Sequence, residues 1–245
     1  MPGETEVDLL ALTRVPWTWE WVPSAREPAA QREAWAAHVG ELFAEWAEQG
    51  LAATRERWPA EAGDFPLSGE HVGSGTAEWL QERADTLAPW ARLAWGAGFV
   101  DSQAPRWAPV PVVVEFFEPL ANDPTYLMDA IGTGGLPGDA REPVVDYFGT
   151  AQGDAVRAFA LTGGPDQAAC GRLDAAMRVE WPASDDRPAA TFDVVARTRV
   201  FDLSLMAAIG PGVEQLLELV AADRQGVNGP DATDGASTGA KEQDA

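Results

Sequence analysis

The chain has 245 residues, of which 46% are hydrophobic, and this content supports an extended core and argues against global disorder. The 39 acidic residues outnumber the 17 basic ones, and the net charge of −22 argues against nucleic acid or anionic lipid as a partner. Cys170 is the only cysteine, which excludes an intrachain disulfide.

The N-terminal region predicts a short strand followed by helices. Trp17, Trp19 and Trp21 alternate between two prolines and would share one face of a short strand at the edge of a sheet. Apolar residues at helical spacing predict a first helix over residues 28–57, ended by Trp58-Pro59. Residues 59–75 are expected to form a loop, and Thr76 to cap a second helix that Pro89 ends or kinks.

Strands dominate the middle of the chain. Residues 90–99 favour a strand over a helix because of their glycines, and residues 110–117 are a β-branched run that predicts a buried strand. Asn122 would cap a short helix that reaches Ile131, and residues 143–148 and 155–161 are typical of a hairpin.

The clearest structural signal is the alternation in residues 173–181 and 192–200, which predicts a second and longer hairpin. One face of this hairpin would be apolar and the other mostly charged and exposed to solvent. Pro211 would begin a final helix, and the composition of residues 224–245 predicts a disordered tail.

These elements predict an α+β fold: an antiparallel sheet with N-terminal helices and a closing C-terminal helix, forming a single domain over residues 1–223. From residue 109 onwards the order of elements, the GDAVR segment at 153–157 and the helix at 212–220 resemble the Mog1/PsbP-like α/β sandwich, including its actinobacterial lipoproteins. Unlike those lipoproteins, the chain is expected to carry neither a secretory signal nor a lipidation cysteine. The resemblance implies a small binding or adaptor fold, usually without catalytic residues.

The sequence contains none of the common nucleotide-binding, hydrolase or metalloprotease motifs. The best candidate loop is the GEHVGSGT segment at 69–76, whose glycines would let backbone amides face an anion beside Glu70, His71 and Ser74. A simple cap for the second helix is the plainer interpretation, and the net charge also opposes an anion site there.

The remaining polar candidates have plain interpretations. His38 and His71 are expected to be ordinary histidines, Cys170 an ordinary thiol and Asp185-Asp186 a solvated turn. Three arginines of the long hairpin are the candidates for a carboxylate or phosphate site, namely Arg178, Arg197 and Arg199. The default interpretation is that they form cross-strand ion pairs.

The leading functional hypothesis is a non-catalytic bacterial adaptor of the cytoplasm, which acts through protein–protein contacts and needs no cofactor. Its partner, another protein or a second copy, would bind at Trp17, Trp19 and Trp21, although inward packing of this stripe on the first helix is the alternative. The other hypotheses are a carrier for a small apolar ligand in a tryptophan-lined cavity and an enzyme of unrecognised type. Membrane insertion and nucleic-acid binding are not expected.

Overall fold

A computed structural model of the chain describes residues 17–98, 109–163, 168–183 and 188–222. These residues form four α-helices and one seven-stranded antiparallel sheet, which confirms the predicted α+β class with N-terminal helices and a C-terminal helix. The tail predicted for residues 224–245 and the Asp185-Asp186 turn lie outside the described residues.

The sheet follows the order β1-β2-β3-β7-β6-β5-β4, and every neighbouring pair is antiparallel. Its strands are β1 (Trp17–Trp21), β2 (Ala91–Gly98), β3 (Val110–Phe117), β4 (Val144–Thr150), β5 (Gly153–Gly163), β6 (Ala169–Trp181) and β7 (Ala190–Val200). The helices are α1 (Ala29–Glu56), α2 (Gly69–Asp85), α3 (Tyr126–Ala130) and α4 (Met206–Ala222). The predicted strands are therefore confirmed, and β3 joins the N-terminal strands to the C-terminal ones by pairing with β7.

One face of the sheet carries the main apolar core. The alternating apolar residues of β6 and β7 form one buried cluster there with the apolar side of α4, and the cluster includes Leu173, Val194 and Leu217. Burial of these side chains is the principal favourable term for folding, and the alternation predicted this face correctly.

Helices cover the opposite face of the sheet in two separate patches. The α1–α2 hairpin packs on β2 through residues such as Val39, Leu80 and Trp95. Helix α3 packs on β5, β6 and β7 through Leu127 and the buried residues around it. The sheet between these two patches forms the floor of the cleft described below.

This coverage corrects the prediction that the second face of the long hairpin is exposed to solvent. Asp174, Ala176, Asp193 and Val195 belong to that face, and all four are buried. Charged residues in an alternating strand usually indicate solvent exposure, but here α3 and the loop after it lie over them and supply polar partners.

The predicted starts of three helices, α2, α4 and α3, are also wrong. Helix α2 begins at Gly69, and its cap is Ser68, whose hydroxyl accepts a hydrogen bond from the backbone N–H of His71 at 3.2 Å. Thr76 lies inside the helix, where its hydroxyl donates to the carbonyl of Val72. Gly69 and Gly73, two of the glycines that predicted a loop, are positions at which α2 approaches α1 closely, and a side chain at Gly73 would meet the backbone of α1. Gly75 has open space around it.

Helix α4 begins at Met206 and holds Pro211 in its interior. The proline was predicted to be the first helical residue because it is favoured there. Ala208 and Ile209 precede it and are buried against the sheet, so packing extends the helix on the N-terminal side of the proline.

In α3, Thr125 rather than Asn122 occupies the N-terminal cap position.

Candidate functional site

A cleft of about 570 Å³ lies between α2 and the strands β2, β3 and β7. Its volume is within the range of small-molecule sites, which is about 300–1,000 Å³. The sheet contributes apolar residues, and α2 and the segment after β7 contribute aromatic ones. The lining residues are Trp79, Arg83, Leu87, Leu93, Pro111, Val113, Glu115, Arg197, Thr198, Arg199 and Phe201.

Three arginines of this acidic chain converge on the cleft. Arg197 and Arg199 alternate along β7, so both side chains leave the same face of the sheet. Val113 of β3 lies opposite Arg197, which places the two arginines beside the apolar floor. Arg83 approaches from α2, one turn after Trp79.

A fully buried carboxylate lies beneath the two arginines of β7. Asp174 accepts a hydrogen bond from Nη1 of Arg199 at 2.9 Å and one from Nη1 of Arg172 at 2.9 Å. Nη1 of Arg197 lies 3.7 Å from the same carboxylate. Because a buried carboxylate has to be paired, Asp174 holds these guanidinium groups in place.

The guanidinium groups of the cleft differ in how many of their N–H groups already form hydrogen bonds within the protein. Arg197 donates through Nε to Glu115 at 2.9 Å and through Nη2 to the carbonyl of Ala130 at 3.2 Å. Arg199 uses only Nη1, which donates to Asp174 and to the carbonyl of Thr198. Its Nε and Nη2 atoms form one edge of the guanidinium group that bonds to none of the described residues.

A second buried ion pair anchors the loop between α3 and β4 to the sheet. Nη2 of Arg172 donates to Asp139 at 2.7 Å, and Nη1 donates to the carbonyl of Ile131 at 2.8 Å. Burial opposes ionisation of Asp139, but hydrogen bonds from Arg172 and from the N–H of Leu136 and the charges of Arg172 and Arg199 outweigh it. They hold the pKa of this carboxyl below its usual value of 3.8.

The structure separates Arg178 from the other two arginines of the long hairpin. Arg178 forms the cross-strand pair with Asp193 that was expected by default, and it also donates to the carbonyls of Ala121 and Asn122. Burial raises the pKa of the Asp193 carboxyl. Arg178 therefore fastens the loop before α3 and does not line the cleft.

The tryptophan stripe lies on β1, at one end of the strand order among the described residues, and its shared face is confirmed. The rings of Trp17 and Trp19 are stacked with centroids 5.3 Å apart, and Nε1 of Trp19 donates to the carbonyl of Gly212 in α4 at 2.9 Å. Trp21 is half-buried against Phe116. The stripe thus packs towards the last helix and not on the first one, and its role in binding a partner stays a prediction.

The polar candidates around the GEHVGSGT segment do not form a site. Glu70, His71 and Ser74 are exposed on the first turns of α2, where the hydroxyl of Ser74 donates to the carbonyl of Glu70. His38 is exposed on α1, and Cys170 is buried. Within the described ranges, no three acidic, histidine or cysteine side chains form a group that could hold a metal, and none of the helices is long and apolar enough to cross a membrane.

Comparison of the chain with protein-family models, with curated proteins and with solved structures finds no match. The resemblance to the Mog1/PsbP-like sandwich therefore stays a prediction. The sequence analysis grouped Arg197 with Arg199, but it did not predict that Arg83 and the apolar floor lie beside them. The only available signal for the floor was the β-branched run of β3, because nothing local indicates which strand lies beside it.

Proposed function

We propose that this protein binds a small, largely apolar ligand in the cleft between α2 and the sheet, without catalysing a reaction. The observation that carries the proposal is the cleft itself: its volume of about 570 Å³ is typical of a ligand site, and its floor is apolar. This takes up the carrier hypothesis of the sequence analysis, with the α2–sheet cleft in place of the tryptophan-lined cavity.

The polar groups of the cleft favour binding over catalysis. Glu115 is committed to an ion pair with Arg197, and the hydroxyl of Thr198 donates to the carbonyl of Pro111 at 2.7 Å. A nucleophile normally needs a base within hydrogen-bond reach, and the lining residues offer no such pair. The adaptor hypothesis draws its support from Trp79 and Phe201, which are 50% and 63% exposed at the cleft.

A neutral fluorescent probe tests the proposal. N-Phenyl-1-naphthylamine emits strongly only in apolar surroundings, and we expect its emission to rise with saturation when the full chain is added. Replacing Val113 with tryptophan would fill the floor of the cleft and should abolish this rise, since Val113 is half-buried and lines the cleft.

Val144→Trp is the matched control, because Val144 is exposed on β4 and does not line the cleft. Circular dichroism melting of both variants establishes that they are folded. The proposal fails if the wild-type chain does not bind the probe, or if a folded Val113→Trp variant binds it as tightly as the control does.

A further inference from the structure

Among the described residues, Arg83 and the network of ion pairs beneath the cleft together carry a net charge of +1. The connected side chains are Arg172, Arg197, Arg199, Glu115, Asp139 and Asp174, and they contain three guanidinium groups and three carboxylates. They therefore balance one another. Arg83 lines the same cleft and forms no ion pair with any described residue, so its charge is the one left over.

The free N–H groups of Arg199 also give the cleft hydrogen-bond donors with a defined orientation. Its Nη1 atom is held by the fully buried Asp174, which leaves Nε and Nη2 as the free edge. Two N–H groups on one edge of a guanidinium match the two oxygens of a carboxylate, and such bidentate charge-assisted pairs are stronger than ordinary hydrogen bonds. The side chain of Arg199 is 41% exposed, so a ligand can reach it.

We propose that the ligand is an amphipathic monocarboxylate whose head group binds the free edge of Arg199, with Arg83 supplying the balancing charge and the apolar body lying on the sheet. This inference rests on the proposed function, because it assumes that the same cleft is the binding site. Leu93, Pro111 and Val113 provide the apolar surface on which the body rests.

The charge balance favours a monoanion over a phosphate-like dianion. A monocarboxylate would neutralise the single excess charge of the cleft, whereas a second negative charge would have no remaining cation. Glu115 lines the same cleft and would repel that second charge. The residue thus selects against dianions as well as anchoring Arg197.

Asp174 is the positioning residue of this site. It cannot touch the ligand, because it is fully buried and its carboxylate is occupied by Arg172 and Arg199. Its role is to fix the orientation of Arg199 so that the free edge is presented before the ligand arrives, which reduces the conformational entropy lost on binding.

Three compounds with the same rings and different head groups test the inference by displacement of bound N-phenyl-1-naphthylamine. They are 2-naphthol, which is neutral, 2-naphthoate, which is a monoanion, and 2-naphthyl phosphate, which is mostly a dianion at pH 7.5. We expect 2-naphthoate to bind about tenfold more tightly than 2-naphthol, and 2-naphthyl phosphate to bind more weakly than 2-naphthoate.

Two substitutions locate the head group. Arg199→Gln should weaken the binding of 2-naphthoate by about tenfold to a hundredfold and the binding of 2-naphthol by a much smaller factor, because only the carboxylate uses the free edge. Arg83→Gln, at an exposed position of α2, should weaken 2-naphthoate by a smaller factor and carries little risk to folding. Arg57→Gln removes an exposed arginine at the end of α1, outside the cleft, and should change nothing.

The outcomes separate this inference from the proposed function. Three outcomes would overturn the monocarboxylate proposal while the neutral probe still bound: equal binding of 2-naphthol and 2-naphthoate, tighter binding of the phosphate than of 2-naphthoate, or unchanged binding of 2-naphthoate by the Arg199→Gln variant. If the wild-type chain does not bind the neutral probe, the proposed function fails, and the inference fails with it.

Discussion

Several charged side chains of this protein are buried at the sheet. Arg172, Asp174 and Asp193 are almost completely buried, and each is paired with an oppositely charged side chain. Alternation in the sequence placed Asp174 and Asp193 on one face of the hairpin, but it could not show that the face is covered. The periodicity of a strand can be read from the strand itself. Its covering partner cannot, because the partner comes from a distant loop: Asp139 lies 33 residues before Arg172 in the sequence.

The ion pair between Asp139 and Arg172 predicts a specific dependence of stability on pH. The folded-state pKa of Asp139 lies below 3.8, so the ionised carboxylate stabilises the fold. This contribution is complete above pH 3.8 and is lost as the pH falls through the folded-state pKa. We expect Asp139→Asn to lower the free energy of unfolding at pH 7 by about 2–3 kcal/mol, since it removes hydrogen bonds to a buried charge.

Urea unfolding of the wild type and the variant at pH 7 and at pH 3 measures this difference. It should be smaller at pH 3, because this pH lies below the ordinary pKa of 3.8 and the carboxyl of the unfolded chain is then mostly protonated, which removes part of the advantage of the folded state. Asp154→Asn, at an exposed position of β5, is the control and should change stability by less than about 0.5 kcal/mol. A difference that stays constant between the two pH values would contradict the assignment.

At the level of elements, the strands and helix α1 were predicted well, whereas the starts of the other three helices were not. Period-two alternation and apolar periodicity are repeated signals, so a few exceptions do not hide them. A helix start depends on one or two residues, and for α2 and α4 these residues gave a misleading signal. Gly69 and Gly73 looked like loop residues, and Pro211 looked like a first helical residue, because the packing that fixes them is contributed by other elements.

The contact between α1 and α2 yields a paired prediction for two glycines of one helix. A methyl group at Gly73 would overlap the carbonyl oxygen of Gly40 and the backbone of Ala44, so Gly73→Ala should lower the free energy of unfolding by about 1–3 kcal/mol. Gly75 has open space around it, and Gly75→Ala should raise the same quantity by about 0.5–1 kcal/mol. Thermal and urea unfolding check both signs. Stabilisation by both substitutions would refute the close helix contact.

The tryptophan stripe of β1 predicts a structural cost that separates core packing from a partner interface. Trp19→Ala combined with Trp21→Ala should lower the free energy of unfolding by about 3 kcal/mol or more, because both rings pack against the main core and Trp19 bonds to α4. Thermal melting measures this loss.

Trp79→Ala is the control for the stripe. Its ring is half exposed at the cleft, so truncation should cost less than about 1 kcal/mol. An unchanged melting temperature in the double variant, together with loss of self-association in sedimentation, would instead support the predicted interface.

At the scale of the whole molecule, the cleft depends on the pairing of β3 with β7. This pairing could not be predicted from the sequence. The hairpins β4–β5 and β6–β7 join strands that are neighbours in sequence, and local turn chemistry predicts them. Nothing local indicates that Val113 lies opposite Arg197. The fold class was therefore predictable, but the meeting of the apolar floor with Arg197, Arg199 and Arg83 was not.

The same pairing has a consequence for the order in which the chain can fold as it is synthesised. When β1, β2, β3 and the α1–α2 hairpin have left the ribosome, β3 still exposes one edge of unpaired backbone groups, because its partner β7 begins only at Ala190. The apolar side of β1 likewise has no cover until α4 has been made. An open edge beside apolar surface attracts other strands, so the nascent chain passes through an aggregation-prone interval. Translation of residues 118–189 sets the length of that interval, and chaperones that shield exposed strand edges would act within it.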